Sequence, residues 1–547
     1  MSIPNVAFLH CHFRRGGVTQ VVENQVAALV RHGTANICLL SGGRNEGLSA
    51  STETHADVRR IEGLDYDSVM QTQAGGTLES DLLSRGLELA KLIHASLSGI
   101  GWVPDRSVLH WHNHSLGKNV AIPIAIGVLA NRFGYRQVLQ IHDFAEDFRP
   151  ENYGRLIQAA MDAGYANPAG KTNEHELPGP ASVNRFLFPV AASIRYATLT
   201  SGDATLLSQI GVEANSIDVL PNGVALDIHS MMGREEARKK LLSAAALPSE
   251  ATWCVYPVRG IRRKNVGEFL LLSRLMPEGL YSGLTLPPTT PIELASYERW
   301  KAVADRFAPR AVFDAGIIPG VSFVDNLAAC SFVLSTSAAE GFGMAFLEPW
   351  LARRGVVARR LSHVTDDFQR AGVDLDRLYD AVEIPGSAVW VTECLQESGE
   401  AYRNAWKPIR DRFGDQFVGA LTSESDHAIA THHIDFARLI PKRQIEVLRR
   451  MDADKGFEDE IRAANPVLGR SISTPFADQQ LERNHDQIGH AYSIEATAQR
   501  LVRVYQRFGD SSGSESFLHA SHSDQSLATL INRSRPFFPC RVESEIA

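Results

Sequence analysis

The chain has 547 residues, 44% of them hydrophobic and 22% charged, with a formal net charge of -8 at pH 7. That length exceeds what one hydrophobic core usually serves, so two domains are expected, and the acidic balance speaks against a general nucleic-acid binder. The six cysteines, at 11, 38, 254, 330, 394 and 540, show none of the short spacings of a zinc knuckle or a redox dithiol, which fits a reducing cytoplasm.

Asn5 to Leu9 is a short apolar run of the kind that fills a buried parallel strand. It leads into Gly16-Gly17, after which Thr19 to Arg31 has helical spacing with Val22, Val26 and Leu29 on one face. Further strands are predicted at Ala35 to Leu40, Ser107 to Trp111, Gln137 to Ile141, Tyr196 to Thr200 and Ser216 to Leu220. Pro221-Asn222-Gly223 breaks the pattern, and a charged helix is predicted over Arg234 to Leu242. Strands resume at Ala251 to Pro257, Ala311 to Phe313 and Ser331 to Ser335, and a helix begins after Gly343. Strands alternating with helices imply a parallel α/β sheet in each half. Residues from about 390 to 480 are polar and helical and show no motif, whereas Tyr492 to Phe508 is an amphipathic helix with Ser493 as its N-cap. The Ser/Gly-rich stretch Gly509 to Ser526 reads as flexible. No segment approaches the ~20 apolar residues needed to span a bilayer, and Met1 to Phe13 has no basic leader, so a cytoplasmic protein is expected, with peripheral membrane contact left open.

Three features carry chemistry. Arg14-Arg15-Gly16-Gly17-Val18 lies between the first strand and the first helix, where glycines let the backbone approach a ligand and a helix start offers unpaired N–H groups to an anion; a plain tight turn reads equally well. Arg259-Gly-Ile-Arg-Arg-Lys264 concentrates positive charge at a strand's carboxyl end, suited to a diphosphate, or else a solvated basic turn. Glu340-Gly-Phe-Gly-Met-Ala-Phe-Leu-Glu348 sets two carboxylates around a glycine turn. On one helix they would stand ~12 Å apart, beyond the ~5–9.5 Å that a glycosidase pair requires, so they suit hydroxyls on two parts of one elongated ligand.

In this order and spacing, the glycine turn, the Arg-x4-Lys and the Glu-x7-Glu resemble the retaining GT-B glycosyltransferases of the glycogen-synthase/sucrose-synthase-like group (family 4-like). Gln140-Ile-His142-Asp143 and Val219-Leu-Pro-Asn222-Gly-Val224 resemble further segments of that family, over residues 5–360 and the helix at 492–508. The resemblance implies a GT-B fold, two Rossmann-like doubly wound domains facing across a cleft, with a C-terminal helix crossing back to the first. Residues 1–225 would form the acceptor-side domain, 226–250 the hinge and 251–486 the donor-side domain with an insertion at about 385–480. The crossing helix would be 487–508 and the flexible tail 509–547.

It further implies transfer of glucose or mannose from a nucleoside-diphosphate sugar, with retention, no cofactor and no metal; the acceptor would be a small molecule or a glycan. His142, Arg259, Lys264 and Glu340 would be catalytic. Gly16, Gly17, Asn222, Phe342, Gly343, Met344 and Glu348 would bind the donor, Glu348 through the ribose and residues 342–344 through backbone N–H groups. His112 and Asp143 would stand on the acceptor side. Retention without an enzymic nucleophile implies front-face attack, the acceptor proton passing to the leaving phosphate. The alternative is a GT-B-shaped nucleotide-sugar-binding or regulatory protein without turnover. The sequence departs from the family after Glu348, with Pro349-Trp-Leu-Ala-Arg-Arg-Gly355 and then Arg359-Arg360 where glycines are common. The alternating His110, His112 and His114 share a strand face, but with no carboxylate or cysteine at useful spacing they suit packing or acceptor contact better than a metal.

Overall fold

The computed structural model describes residues 5–33, 36–73, 81–165, 179–226, 231–419, 425–508 and 523–542. The chain divides into two compact units: unit 1 comprises 1–223, 406–420 and 492–535, and unit 2 comprises 224–405, 421–491 and 536–547.

Unit 1 is built on seven strands: β1 (Asn5–Leu9), β2 (Ile37–Ser41), β3 (Asp57–Arg60), β4 (Ser107–His112), β5 (Arg136–Ile141), β6 (Ile194–Thr198) and β7 (Ile217–Val219), in the order β3-β2-β1-β4-β5-β6-β7. Every pairing is parallel. Because the chain builds outward from β1 to β3 and then returns to lay β4 on the other side of β1, the sheet has a topological switch point between β1 and β4. Open α/β sheets bind ligands at such a point, outside the strand carboxyl ends. The helix Gly17–Arg31 buries Val22, Val26 and Leu29 in one core cluster with β1 and with Ile494, Leu501 and Val504 of the helix Ile494–Gln506. The latter helix starts where the Ser493 hydroxyl accepts the Ala496 N–H at 3.1 Å, and its 3.6-residue apolar period turns one face onto that core. Fully burying each such side chain contributes roughly 1.5–3 kcal/mol.

Unit 2 repeats the plan with β8 (Thr252–Arg259), β9 (Leu280–Leu286), β10 (Ala311–Val312), β11 (Phe332–Ser335), β12 (Gly355–Arg359) and β13 (Leu378–Tyr379), all parallel in the order β10-β9-β8-β11-β12-β13. Its switch point lies between β8 and β11. A short antiparallel pair, β14 (Glu383–Pro385) and β15 (His433–Asp435), stands apart from this sheet.

The structure differs from the sequence reading in three places. Residues 406–420 belong with unit 1 rather than with the second domain. The rest of the stretch near 385–480 packs into unit 2, where Val391, Ile434, Phe436, Leu448 and Phe457 share one apolar core with Tyr256 and Leu270. Residues 509–522 and 543–547 lie outside the described residues, but within the expected flexible tail Leu527–Ser534 is a helix with Leu527, Leu530 and Ile531 buried. Among the described residues no helix is long and apolar enough to cross a membrane. All six cysteines are buried free thiols.

Candidate functional site

In unit 2 the switch point gathers the charged residues singled out in the sequence. Arg259 ends β8 and donates to the Pro287 carbonyl at 3.2 Å. The chain then makes one 3-10 turn, Arg262–Lys264. The Lys264 carbonyl is held by the Tyr256 hydroxyl at 3.1 Å and the Thr336 hydroxyl at 2.9 Å, which fixes the backbone from which the lysine projects. Its ammonium pairs with Glu340, and the Ser337 hydroxyl donates to the same carboxylate oxygen at 2.6 Å. The pair is nearly buried, 9% exposed on each side chain, so its attraction is little screened. Burial pushes the Glu340 pKa up, yet the positive charges of Lys264 and Arg263 and the hydrogen bonds prevail, and its pKa lies below the usual carboxylate range. Arg262 is engaged by Glu293, at 3.1 Å through Nε and 2.8 Å through its backbone N–H. The basic loop is therefore an ion-paired turn, and a ligand anion would compete with Glu340 for the lysine.

Gly343 stands at φ 81°, in the left-handed region, and a Cβ there would lie 2.8 Å from Phe346 Cδ2 and 3.1 Å from Val364 Cγ1. Glycine is required at this position. The turn interrupts any single helix between the two glutamates: Glu340 lies in a loop, Met344–Phe346 is one 3-10 turn, and Glu348 opens the helix Glu348–Leu351. The Phe342 ring is buried edge-on against Phe368 with centroids 5.2 Å apart, leaving its backbone as the part suited to a ligand. Desolvation pushes the Glu348 carboxyl up to about 7. A desolvated carboxylate of this kind is stabilised by hydroxyl donors.

The departure at Arg359 has a structural explanation that sequence reasoning missed. Its guanidinium is 1% exposed and forks onto Glu268 (2.7 and 2.9 Å) and onto Asp435 at the end of β15 (2.8 and 2.9 Å). Tyr379 adds a hydroxyl bond to Glu268 at 2.7 Å. The unusual arginine thus locks the β14–β15 pair to the main sheet; no local signal could reveal partners 91 and 76 residues away.

In unit 1, imidazoles line the carboxyl ends of β1, β4 and β5. His10, His110, His112, His114 and His142 are all buried. His10 Nδ1 donates to the His112 carbonyl at 3.0 Å, and the rings of His110 and His112 stack at 4.9 Å and 7°. His110 Nε2 donates to Gln140 Oε1 at 2.9 Å, so its Nδ1 accepts the Tyr505 hydroxyl at 2.8 Å. His112 Nδ1 lies 2.8 Å from His142 Nε2, and His112 Nε2 is buried without a partner. A buried orphan N–H costs more than an orphan lone pair. The favoured tautomer therefore has His112 Nδ1–H donating to His142, which leaves His142 with its proton on Nδ1. Burial pushes His142 down to about 4 and His112 well below 6.5, so both are neutral at neutral pH. Asn113, at positive φ, accepts the backbone N–H groups of His142 and Asp143 at 2.8 and 3.1 Å, while the Asp143 carboxylate pairs with Arg149 at 2.9 Å.

Gly16 precedes the helix Gly17–Arg31 with no side-chain cap. The fold demands glycine at neither position: Gly16 is in extended backbone, and a Cβ at Gly17 would meet nothing within 4 Å among the described residues. Asn222 is buried after β7 with its Oδ1 unpartnered, next to Gly223, whose carbonyl accepts from Asn24 at 2.9 Å.

No family model matches the sequence. Over 377 residues, 67% of this chain, it is 27% identical to the mannosylglucosyl-3-phosphoglycerate synthase of Petrotoga mobilis. The match covers 66% of that protein, so the chain spans about two thirds of the length of this curated relative. Among solved structures, a glycosyltransferase from Rickettsia africae aligns with 93% of this chain and 100% of its own at 10% identity and a TM-score of 0.51. Sucrose-phosphate synthase from Thermosynechococcus elongatus aligns with the same shares at 13% identity and a TM-score of 0.49. The Rickettsia likeness bears on the fold, and the Petrotoga relative adds kinship in sequence. With two doubly wound parallel sheets, one per unit, this chain shares the fold of the Rickettsia glycosyltransferase.

Proposed function

We propose that the chain is a metal-independent retaining hexosyltransferase that moves glucose or mannose from a nucleoside-diphosphate sugar to an acceptor hydroxyl. The observation that carries the reading is the nearly buried Lys264–Glu340 pair at the switch point of unit 2. Arg259 and Lys264 hold the diphosphate, whose charge grows as the sugar leaves; fixed cations in a water-poor site stabilise that charge best. Glu340, relieved of part of its hold on Lys264, grips the sugar hydroxyls together with the backbone of Phe342, Gly343 and Met344. Glu348 accepts from the ribose. In unit 1, Gly17 and Gly16 let the backbone approach the donor phosphate, which explains glycines that the fold itself does not need. Asn222 contributes its unpartnered oxygen to the donor. His142, neutral and protonated on Nδ1, donates a hydrogen bond to the sugar, and His112 and Asp143 serve the acceptor side. In the transfer, the bond from the anomeric carbon to the phosphate oxygen breaks on the face where the acceptor oxygen bonds. The acceptor proton passes to the leaving phosphate.

The name of the Petrotoga relative describes a product with mannosyl, glucosyl and phosphoglycerate groups, which supports a hexose donor and a small phosphorylated acceptor. The test is a panel of uridine, guanosine and adenosine diphosphate sugars, with glucosyl-3-phosphoglycerate among the acceptors, read by released nucleotide. One donor should be consumed, at a rate unchanged by EDTA, with the anomeric configuration preserved in the product. Loss of turnover in EDTA would remove the metal-free reading. Thermal stabilisation by nucleotide with no donor consumed would favour the binding protein without turnover.

A further inference from the structure

Unit 2 contains a cavity of about 460 Å³ that shares no lining residue with the proposed transfer site. Its size falls among small-molecule sites. One wall begins where β14 ends and the helix Ala388–Phe413 starts. There a Cβ on Gly386 would lie 2.4 Å from Trp390 Cε3, so the indole is seated against the glycine backbone. The Trp390 indole N–H donates to Glu446 Oε1 at 3.0 Å. The other oxygen of Glu446 accepts from Arg443 at 2.8 Å, and Arg443 is anchored in turn by Glu397 and Glu393. The half-buried tryptophan is thus fixed at both its ring face and its polar edge. Phe457 also lines the cavity and carries the Arg450 guanidinium 3.6 Å from its ring centroid. Glu460 follows Phe457 by three residues in the helix Lys455–Ala464, so the two share a face, and its carboxylate is exposed.

This lining has a definite chemical preference. Glu446 and Glu460 against Arg450 leave one net negative charge, which disfavours phosphate and nucleotide. Aromatic rings offer apolar contact to the C–H face of a sugar ring, and carboxylates make strong charge-assisted bonds with hydroxyl donors. We infer that this cavity binds a neutral hexopyranose unit and constitutes a second saccharide site, built by the stretch near 385–460 and independent of the transfer reading.

The test uses the full-length protein with methyl α-D-mannopyranoside, methyl α-D-glucopyranoside and inorganic phosphate as probes, followed by saturation-transfer NMR and titration. At least one glycoside should bind, and phosphate should not displace it. Glu460→Ala, at an exposed position, and Trp390→Phe, which keeps a ring but loses the N–H, should each weaken binding; Trp390→Ala should weaken it by at least about tenfold. Lys264→Ala should leave it unchanged. Three results would overturn the inference: no binding of either glycoside at up to ~50 mM, where even a weak millimolar site would fill; binding that persists in both Glu460→Ala and Trp390→Ala; or binding lost in Lys264→Ala but kept in Glu460→Ala, which would put the glycoside in the transfer site. Donor turnover is measured separately, so failure here leaves the transfer reading standing, and the reverse.

Discussion

At the carboxyl ends of β1, β4 and β5, unit 1 buries His10, His112 and His142 as neutral rings joined to one another and to backbone carbonyls. At the equivalent ends of β8 and β11, unit 2 buries Lys264 and Glu340 as ions, and at the end of β12 it buries Arg359 between two carboxylates. The two sheets have the same switch-point topology, so topology cannot be what gives them different work. Side-chain charge does that. A neutral imidazole attracts no phosphate but offers one directed donor to a hydroxyl, whereas a desolvated lysine is suited to an anion and costly to leave alone.

The sharpest way to break the contrast is to remove the central ion of the larger network in unit 2. Arg359→Met leaves Glu268 and Asp435 buried and uncompensated, and should cost about 3–5 kcal/mol of stability. Urea unfolding of the variant checks it. A cost under about 1 kcal/mol would show that the carboxylates find other partners or water. Next, Lys264→Met should lower kcat/KM for the donor by about 10²–10³-fold, the scale of losing one fixed donor to a developing anion. Because that variant also strands Glu340, the double variant Lys264→Met/Glu340→Gln is the control. It should recover stability without recovering turnover, and turnover within about threefold of the parent in either would detach the pair from catalysis.

How much of this was legible in advance follows from the range of each interaction. Buried parallel strands such as Asn5–Leu9 and Thr252–Arg259 are apolar runs, and they stand out. Leu280–Leu286 does not, because Ser282, Gly283 and Thr285 dilute its pattern although most of the strand is buried. Asp57–Arg60 is a polar edge strand with no hydrophobic signal at all. The turns around Lys264 and Gly343 are local, so sequence order alone marks them. That Lys264 is already paired with Glu340, 76 residues on, is a fact of tertiary structure. The same holds for the histidines. Alternation along β4 puts His110 and His112 on one face, but the bond from His112 to His142 needs the β4–β5 register, which sets His112 opposite Gln140.

The imidazole side of the comparison is tested with acid. Burial lowers His10 and His110 to about 3, His114 and His142 to about 4, and His112 well below 6.5. Above 6.5 neither folded nor unfolded chains protonate these rings, so their contribution is constant. As pH falls through 6.5 the unfolded chain takes up protons that the folded unit refuses. Each ring then subtracts up to about 1.4 kcal/mol per pH unit until its folded pKa is reached. Glu146, raised to about 7 by burial, and Asp203, also raised by burial, work in the opposite sense in unit 1, but they are two groups against five buried rings. In unit 2 no histidine among the described residues is buried to this degree, and Glu348 and Glu268, both raised, make that unit more stable as pH falls toward 4.5. Limited proteolysis at about pH 5 against about pH 7.5 should therefore open unit 1 first; equal resistance of both units would contradict the buried neutral rings.

The smallest effect tests whether the histidine chain is positioned from outside the sheet. Tyr505 is buried on the helix Ile494–Gln506, and its hydroxyl serves His110 Nδ1 at 2.8 Å. Tyr505→Phe keeps the ring and its packing but leaves that nitrogen a bare lone pair, at a cost of about 1 kcal/mol. His110 is then free to exchange its tautomer, losing the donor bond to Gln140. His112, whose ring stacks on His110 at 4.9 Å, and His142 bonded to it would register the change only if the stacked rings respond together. A stability loss of about 1 kcal/mol with an unshifted pH profile of donor turnover would make Tyr505 a packing residue alone. A profile shifted on its acid side would show that the returning helix sets the protonation of His142, and that the neutral half of the molecule is organised from its C-terminal end.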